Sequence, residues 1–483
     1  MPSIKKNFFY NGALTAANYI FPLIVYPYTF RVLGVQYIGI CNFIDSIINY
    51  FILFSMMGIN TLGIREMAKY NDNFKQRSKA FSSIIFLNSV STFIVFVLLL
   101  VLTFSVDKLA QNKEMMLMGG AKILFNYLLI EWLYKGLENF KYITIRTIFV
   151  KVIYILCVFL VVKTPNDYIF FYLLTVLMVA VNAMININYS KRFVTFSIKG
   201  IDIKTYIKPF FILGIYALLT SMYLSFNVIY LGFVAGETEV GYYTTATKIH
   251  HILLAFYTAF TGVMLPRLSS MASKGDVESV KNMCNKSVDL LFIFILPLTL
   301  FSIIYAPHII QIIAGDGYEK SVLLMQLIMP LLFVIGYEQI IVIQILTSLK
   351  YDKAVLINST LGAVVAIITN IIIVPRLQSV GSAIVWLVCE LVVMFSAQYF
   401  SSKHVGFKFP FVDFLKKLLY AIPITVGLFL LSNVQMNYVL NCALGAFLCI
   451  LYYFMLLFCK QNYYPTWIIK KCQIIRQRNW NGD

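Results

Sequence analysis

The sequence predicts an all-α, polytopic membrane protein, and its composition and hydropathy carry this prediction. Hydrophobic residues make up 60% of the 483 residues, whereas charged residues make up only 12%. An average soluble domain carries about 25% charged residues, so a soluble core could not bury this much apolar surface. Apolar runs of about 18 residues or more recur along the whole chain, and each is long enough to cross a bilayer as a helix. We therefore expect a membrane transport protein and not a soluble enzyme.

Hydropathy divides the chain into about fourteen predicted spans, of which the thirteenth is the shortest. In order, they cover residues 8–30, 37–60, 81–105, 115–133, 142–162, 168–189, 209–233, 241–265, 288–306, 321–348, 354–374, 380–400, 418–433 and 438–459.

The basic residues predict the orientation of these spans. With the N-terminus placed in the cytoplasm, about three quarters of the 39 Lys and Arg residues fall in cytoplasmic segments, as the positive-inside rule requires. An even number of spans then places the basic C-terminal tail in the cytoplasm as well. The net charge of +18 lies in short loops and not in a basic domain, so we expect contacts with anionic lipids and none with nucleic acid.

An internal repeat relates the first and second parts of the chain. A shift of 202 residues aligns them without a gap and pairs Gly39 with Gly241 and Arg65 with Arg267. Six spans separate the copies, so both have the same orientation, and we expect a pseudo-two-fold axis along the membrane normal. The predicted parts are an N-terminal lobe of six helices (residues 1–200), a C-terminal lobe of six helices (201–405), and two further helices with a basic tail (406–483).

Polar stripes on two of the spans predict a cavity. The eighth span carries Thr244, Lys248 and His251 at helical spacing, and the second carries Asn42, Asp45 and Asn49, of which Asn42 and Asn49 match Thr244 and His251 in the repeat. Polar groups inside a membrane usually face a water-filled cavity or a partner, so we expect both stripes to line one cavity between the lobes. The alternative is that they only join helices through hydrogen bonds.

Further ionisable residues lie inside the predicted spans. Lys151 is close to mid-membrane and too deep for easy contact with headgroups, whereas Arg146 is either a cavity cation or a headgroup anchor. Lys122 and Glu131 would lie on opposite faces of a straight helix, and we favour Lys122 as the cavity residue. Asp45, Glu338 and Glu390 are candidate carboxylates for coupling transport to an ion.

Several kinds of site are not expected. The eight cysteines show neither CxxC pairs nor metal-ligand spacing, so we predict no disulfide and no metal site. No phosphate-binding GxxxxGK[ST] motif occurs, and we expect no cofactor and no catalytic residue.

Short motifs resemble those of a known family. The segments Tyr26–Gly34, Gly63–Glu66, Gly136–Thr144, Val240–Tyr243 and Leu265–Ser269 resemble signatures of the O-antigen and capsule repeat-unit flippases. These belong to the multidrug/oligosaccharidyl-lipid/polysaccharide exporter superfamily. The resemblance implies fourteen helices in two lobes, and a cavity cation at Lys248.

The resemblance also implies a function. The expected substrate is an oligosaccharide linked to undecaprenyl pyrophosphate, which a flippase of the bacterial cytoplasmic membrane moves to the outer leaflet by alternating access. Partners would be this substrate and membrane lipids, with the polysaccharide polymerase machinery as a further candidate. Lys248, Lys151, Lys122 and Arg146 would bind the pyrophosphate. Two alternatives stay open: a multidrug exporter of the same fold, and a membrane glycan polymerase or acyltransferase.

Overall fold

The computed structural model describes residues 4–224 and 226–459, which are almost entirely helical. In this part of the chain, ten helices are long and apolar enough to cross a membrane, or up to eleven if one bent pair counts as a single span. The all-helical prediction is confirmed, and among the described residues the predicted spans fall mostly on helix. The chain divides into two compact units, residues 1–244 with 366–382 and residues 245–365 with 383–483. These units differ from the predicted lobes, which are defined by the repeat and stay a prediction.

Two helices are long enough to cross the membrane twice, and each is broken near its middle. A helix of 53 residues is about 80 Å long, whereas the hydrocarbon core is about 30 Å thick. Its break is at Gly34, whose φ of 73° lies in the region that glycine tolerates. The second, of 54 residues, breaks at Gln378 with φ of 52°. Both breaks fall in the loops predicted between spans, at residues 31–36 and 375–379.

The first unit is built from ten complete helices. They are α1 (Ile4–Met56), α2 (Ile59–Lys69), α3 (Phe74–Ser105), α4 (Asp107–Ala110), α5 (Lys113–Tyr127), α6 (Glu131–Gly136), α7 (Phe140–Val161), α8 (Tyr168–Ser190), α9 (Lys204–Leu224) and α10 (Phe226–Ala235), with a 3₁₀ turn at Pro165–Asp167. A buried cluster around Trp132, Tyr134, Phe81 and Leu62 packs α2, α3 and α6 together. Ile130 separates α5 from α6 with φ of 37°, so the fourth predicted span is not one straight helix.

The second unit contains most of the remaining helices. These are α12 (Val277–Leu290), α13 (Leu296–Ile304), α14 (Ala306–Ile313), α15 (Lys320–Ile328), α16 (Leu331–Gln339), α18 (Phe411–Ser432) and α19 (Tyr438–Cys459), with π-helical segments at Leu291–Ile295 and Ile340–Thr347. The helices α11 (Glu237–Ser273) and α17 (Asp352–Val405) each contribute residues to both units. The predicted last two spans, α18 and α19, pack on α13 and α14, where the Tyr305 hydroxyl donates to Asn441 Oδ1 at 3.1 Å.

A close contact inside the first unit relates repeat-equivalent residues. A Cβ atom added to Gly39 would lie 1.8 Å from the carbonyl oxygen of Glu237, and one added to Gly241 would lie 2.1 Å from that of Val35. Because Val35 and Gly39 become Glu237 and Gly241 under the 202-residue shift, the contact is reciprocal. A two-fold axis between the two segments produces such a contact. Only glycine lets the backbones come this close.

Candidate functional site

The polar residues of the second predicted span are engaged within the first unit. The ammonium group of Lys122 on α5 forms an ion pair with Asp45 Oδ1, and Asn49 Nδ2 donates to Asp45 Oδ2 at 3.1 Å. Asn42 Nδ2 donates to Thr244 Oγ1 at 2.8 Å. Asn42 and Thr244 are repeat equivalents, and Thr244 is buried, so this pair joins two helices. The predicted role of these residues in lining a cavity stays a prediction.

Arg146 on α7 is buried and paired with a carboxylate. Its Nη2 atom donates to Glu131 Oε1 at 2.7 Å and to Thr147 Oγ1 at 2.8 Å. Its side chain is only 4% exposed, which does not fit a lipid headgroup anchor. Lys135 Nζ also lies 3.3 Å from Glu131 Oε2. The single negative charge of Glu131 is therefore shared between Arg146 and Lys135. The positive φ at Ile130 turns α6 away from α5 and thereby invalidates the straight-helix argument that separated Glu131 from Lys122.

Lys151 differs from these two cations in its surroundings. Its ammonium group donates to the neutral amide oxygen Asn18 Oδ1 at 2.6 Å and lies 5.8 Å from the centre of the Phe21 ring. Among the described residues, no carboxylate lies within 4.0 Å of it. The side chain is half-buried, next to the exposed Asn18. A half-buried ammonium group without a carboxylate attracts anions more strongly than one whose charge is compensated.

The second unit holds the remaining polar residues of the eighth span. Lys248 is half-buried on α11, His250 is buried and His251 is exposed. Both imidazole rings pack against the Trp386 ring, at centroid distances of 5.0 Å for His250 and 5.5 Å for His251. The two neighbouring histidines therefore differ in exposure although they contact the same indole ring.

Two carboxyl groups meet beside Trp386. The indole Nε1 of Trp386 donates to Glu390 Oε1 at 3.0 Å, and Glu390 is only 1% exposed. Glu338 on α16 lies near Glu390, and the two carboxyl groups interact electrostatically. Two neighbouring carboxylates repel each other unless they share a proton. This arrangement can take up and release a proton.

Several polar residues of these clusters were not predicted from the sequence. Asn18 is a single amide in the first span. Trp386 lies in a different span from His250 and His251, and no sequence pattern relates it to them. Asn227 and Asn370 are buried amides of two other spans, and Asn370 Nδ2 donates to Asn227 Oδ1 at 2.6 Å. A lone amide inside an apolar span was the available signal, because such groups need a partner.

Comparisons with known proteins give one family. The family model described as "Polysaccharide biosynthesis protein" matches residues 4–272, which is more than half of the chain. The "Putative O-antigen transporter" of Escherichia coli (strain K12) is 25% identical over 397 residues, covering 81% of this chain and 95% of that protein. A protein of the same name from Shigella dysenteriae is 27% identical over 280 residues, covering 56% of this chain and 68% of its own length.

Solved structures show which fold the chain shares. The lipid II flippase MurJ in an inward closed conformation matches with a TM-score of 0.78 at 16% identity, covering 92% of this chain and 97% of MurJ. An inward-facing multidrug resistance transporter of the MATE family, in the MOP superfamily, matches with a TM-score of 0.62 at 12% identity, over 81% of this chain and 94% of its own. The chain therefore has the fold of this group of polytopic membrane transporters.

Proposed function

We propose that this chain, which belongs to the polysaccharide biosynthesis protein family, is a flippase for oligosaccharides linked to undecaprenyl pyrophosphate. The relatives that match most of its length are named as O-antigen transporters, not as enzymes. The substrate would move from the inner to the outer leaflet of the bacterial cytoplasmic membrane, with both termini of the protein in the cytoplasm. A polymerase that consumes the sugar repeat in the outer leaflet would then be its partner.

The observation that carries this proposal is which of the candidate cations already pair with a carboxylate. A pyrophosphate that leaves water needs cations or strong hydrogen-bond donors close by. Lys122 is paired with Asp45 and Arg146 is paired with Glu131, so we assign both to positioning the helices. Lys151, which hydrogen-bonds a neutral amide, is the best pyrophosphate ligand in the first unit. Lys248 on α11 would provide a second charge.

The mechanism we propose is alternating access of the two repeats. The sugar would occupy a wet cavity while the prenyl chain stays in the lipid. Glu338 and Glu390 would couple this cycle to a proton gradient, because two neighbouring carboxyl groups can gain and lose one proton. Asp45 is a weaker candidate for coupling, since Lys122 already compensates its charge.

A charge series at Lys151 and Lys248 tests the proposal. In cells that lack the native gene, Lys151→Gln and Lys248→Gln should each abolish surface polysaccharide, whereas Lys151→Arg and Lys248→Arg should keep much of it. Surface polysaccharide is measured by gel electrophoresis and membrane abundance by immunoblot. Lys163→Gln removes one charge from an exposed lysine just after α7 and should export normally. Near-normal export by both glutamine variants at normal abundance would refute the assignment.

The second candidate function is export of cationic drugs. Its support is the shared fold with a multidrug transporter and the presence of the carboxyl groups Glu338 and Glu390. It predicts that cells expressing the chain tolerate cationic dyes better and that Glu390→Gln removes this tolerance. No change in dye tolerance, together with restored surface polysaccharide, would exclude it.

A further inference from the structure

A polar pocket lies in the first unit, and the candidate pyrophosphate ligand Lys151 is not among the residues that line it. It has a volume of about 550 Å³ and is formed by the beginning of α3 and the linker between α8 and α9. Its walls include Lys75, Lys79 and Lys199 together with Ser78, Thr195 and Ser197. The distribution of basic residues predicts that this end of α3 faces the cytoplasm.

The linker is held against α3 by a row of serine hydroxyls. The backbone N–H of Thr195 donates to Ser78 Oγ at 3.1 Å. The N–H of Ser197 donates to Ser82 Oγ at 3.0 Å, and that of Asp202 donates to Ser83 Oγ at 3.0 Å. These bonds fix an irregular segment on a rigid helix, so the pocket is a built feature of the fold.

The charge of the pocket is strongly positive. Within the described residues, none of its three lysine ammonium groups lies within 4.0 Å of a carboxylate. The nearby Asp202 accepts hydrogen bonds from Thr205, at 2.6 Å from the hydroxyl, and only partly offsets Lys79. The N-terminus of α3 adds positive partial charge from its backbone N–H groups. Together these groups favour an anion that can bridge α3 and the linker.

Apolar side chains next to the pocket identify the kind of anion. Ser197 lines the pocket, while Phe196 and Ile198 on either side of it are 54% and 73% exposed. Phe74, at the start of α3, is 47% exposed. Exposed aromatic and aliphatic side chains beside lysines are typical of a segment at the surface of a membrane.

We propose that this pocket binds the phosphate headgroup of an anionic phospholipid, with Lys75, Lys79 and Lys199 on the phosphate and Phe196 and Ile198 against the acyl chains. The proposal does not depend on the transported substrate. A lipid bound here would hold the linker between the two predicted lobes at the membrane surface.

The test compares two triple variants of the full-length protein in detergent. The pocket variant changes Lys75, Lys79 and Lys199 together to Gln. The control variant changes three exposed lysines that do not line the pocket to Gln, namely Lys191, Lys204 and Lys208. Binding of phosphatidylglycerol is measured by native mass spectrometry and by the rise in Tm on titration. Each lysine near a phosphate contributes roughly fivefold, so the pocket variant should bind about a hundredfold more weakly. The control should change less than about fivefold.

Three results would overturn the proposal. The first is an equal loss of phosphatidylglycerol binding in both triple variants, which would mean a diffuse charge effect. The second is equal binding of phosphatidylcholine by the wild type. The third is an equal rise in Tm from inorganic phosphate alone, which would assign the pocket to a soluble anion. If the triple variant is poorly expressed, Lys199→Gln alone should weaken binding about fivefold, and an unchanged affinity would contradict the proposal.

Discussion

Separating Asp45 from Lys122 should destabilise the first unit in an asymmetric way. The Lys122 side chain is 13% exposed and that of Asp45 35%, so Asp45→Asn strands the more deeply buried charge. Loss of one partner costs about 3–5 kcal/mol for a fully buried pair and about 0–1 kcal/mol for an exposed pair. Because this pair is intermediate, we expect about 2–3 kcal/mol for Asp45→Asn. Lys122→Met should cost about 1–2 kcal/mol, since Asp45 keeps Asn49 and some water.

The assay is a double-variant cycle read as Tm in detergent. An unfolding entropy of about 2.1 cal/mol/K per residue gives roughly 1 kcal/mol/K for a chain of this length. Asp45→Asn should therefore lower Tm by about 2–3 °C. The double variant should be more stable than the sum of the single changes predicts, by about 2 kcal/mol. Additive effects would show that the pair does not stabilise the fold. The exposed pair Lys416–Asp413, with side chains 64% and 61% exposed, is the control and should show almost no coupling.

Three other predictions follow from the packing and the charges. Gly39→Ala and Gly241→Ala should each lower Tm and membrane abundance, because the added Cβ would meet a backbone carbonyl oxygen. Gly12→Ala is the control, because its Cβ would meet nothing within 4 Å. Equal Tm and abundance in all three variants would contradict the close contact. Glu338→Gln should make export insensitive to a proton ionophore, while the exposed Glu278→Gln should leave it sensitive, and unchanged sensitivity in Glu338→Gln would remove the pair from coupling. Hydrogen bonds from Thr205 lower the pKa of Asp202, so its ionised form stabilises the fold above about pH 4 and this contribution is lost as the pH falls through the lowered pKa. Asp202→Asn should therefore lower Tm at pH 7 but much less at pH 3, and an equal loss at both pH values would exclude a contribution from charge.

The helical architecture could be predicted because hydropathy is local. A stretch of about 18 apolar residues identifies a span whatever it packs against. The two long helices break within the loops that hydropathy predicted, at Gly34 and Gln378. The sequence did not show that two consecutive spans are joined there by a break at a single residue. A longer loop was equally compatible with hydropathy, because the break depends on the φ angle of that one residue.

The pairing of charges was beyond the sequence. Lys122 and Asp45 are 77 residues apart, and their contact depends on how α1 and α5 are rotated about their axes. The bend at Ile130 lets Glu131 reach Arg146, and a straight-helix argument misses it. The sequence could propose four cations for the substrate, but only packing shows which of them are already paired with a carboxylate.

The repeat gave the most specific long-range information. The shift of 202 residues paired Gly39 with Gly241 and Asn42 with Thr244 before any contact was known. In the structure, the first pair lies in a reciprocal close contact and the second is joined by a hydrogen bond. Equivalent residues touch when they lie close to a two-fold axis. The direction of that axis relative to the membrane stays a prediction.

Translocation by the purified protein tests the central proposal most directly. Lipid-linked oligosaccharide, extracted from cells that lack this gene, is reconstituted with the protein in liposomes, and a proton gradient is imposed. A sugar oxidant that cannot cross the membrane then reports the fraction of oligosaccharide on the outside. The proposal predicts that nearly all of it becomes accessible with the wild type, whereas about half stays protected in protein-free liposomes and with Lys151→Gln. Protection that is the same with and without the wild-type protein would contradict the assignment as a flippase.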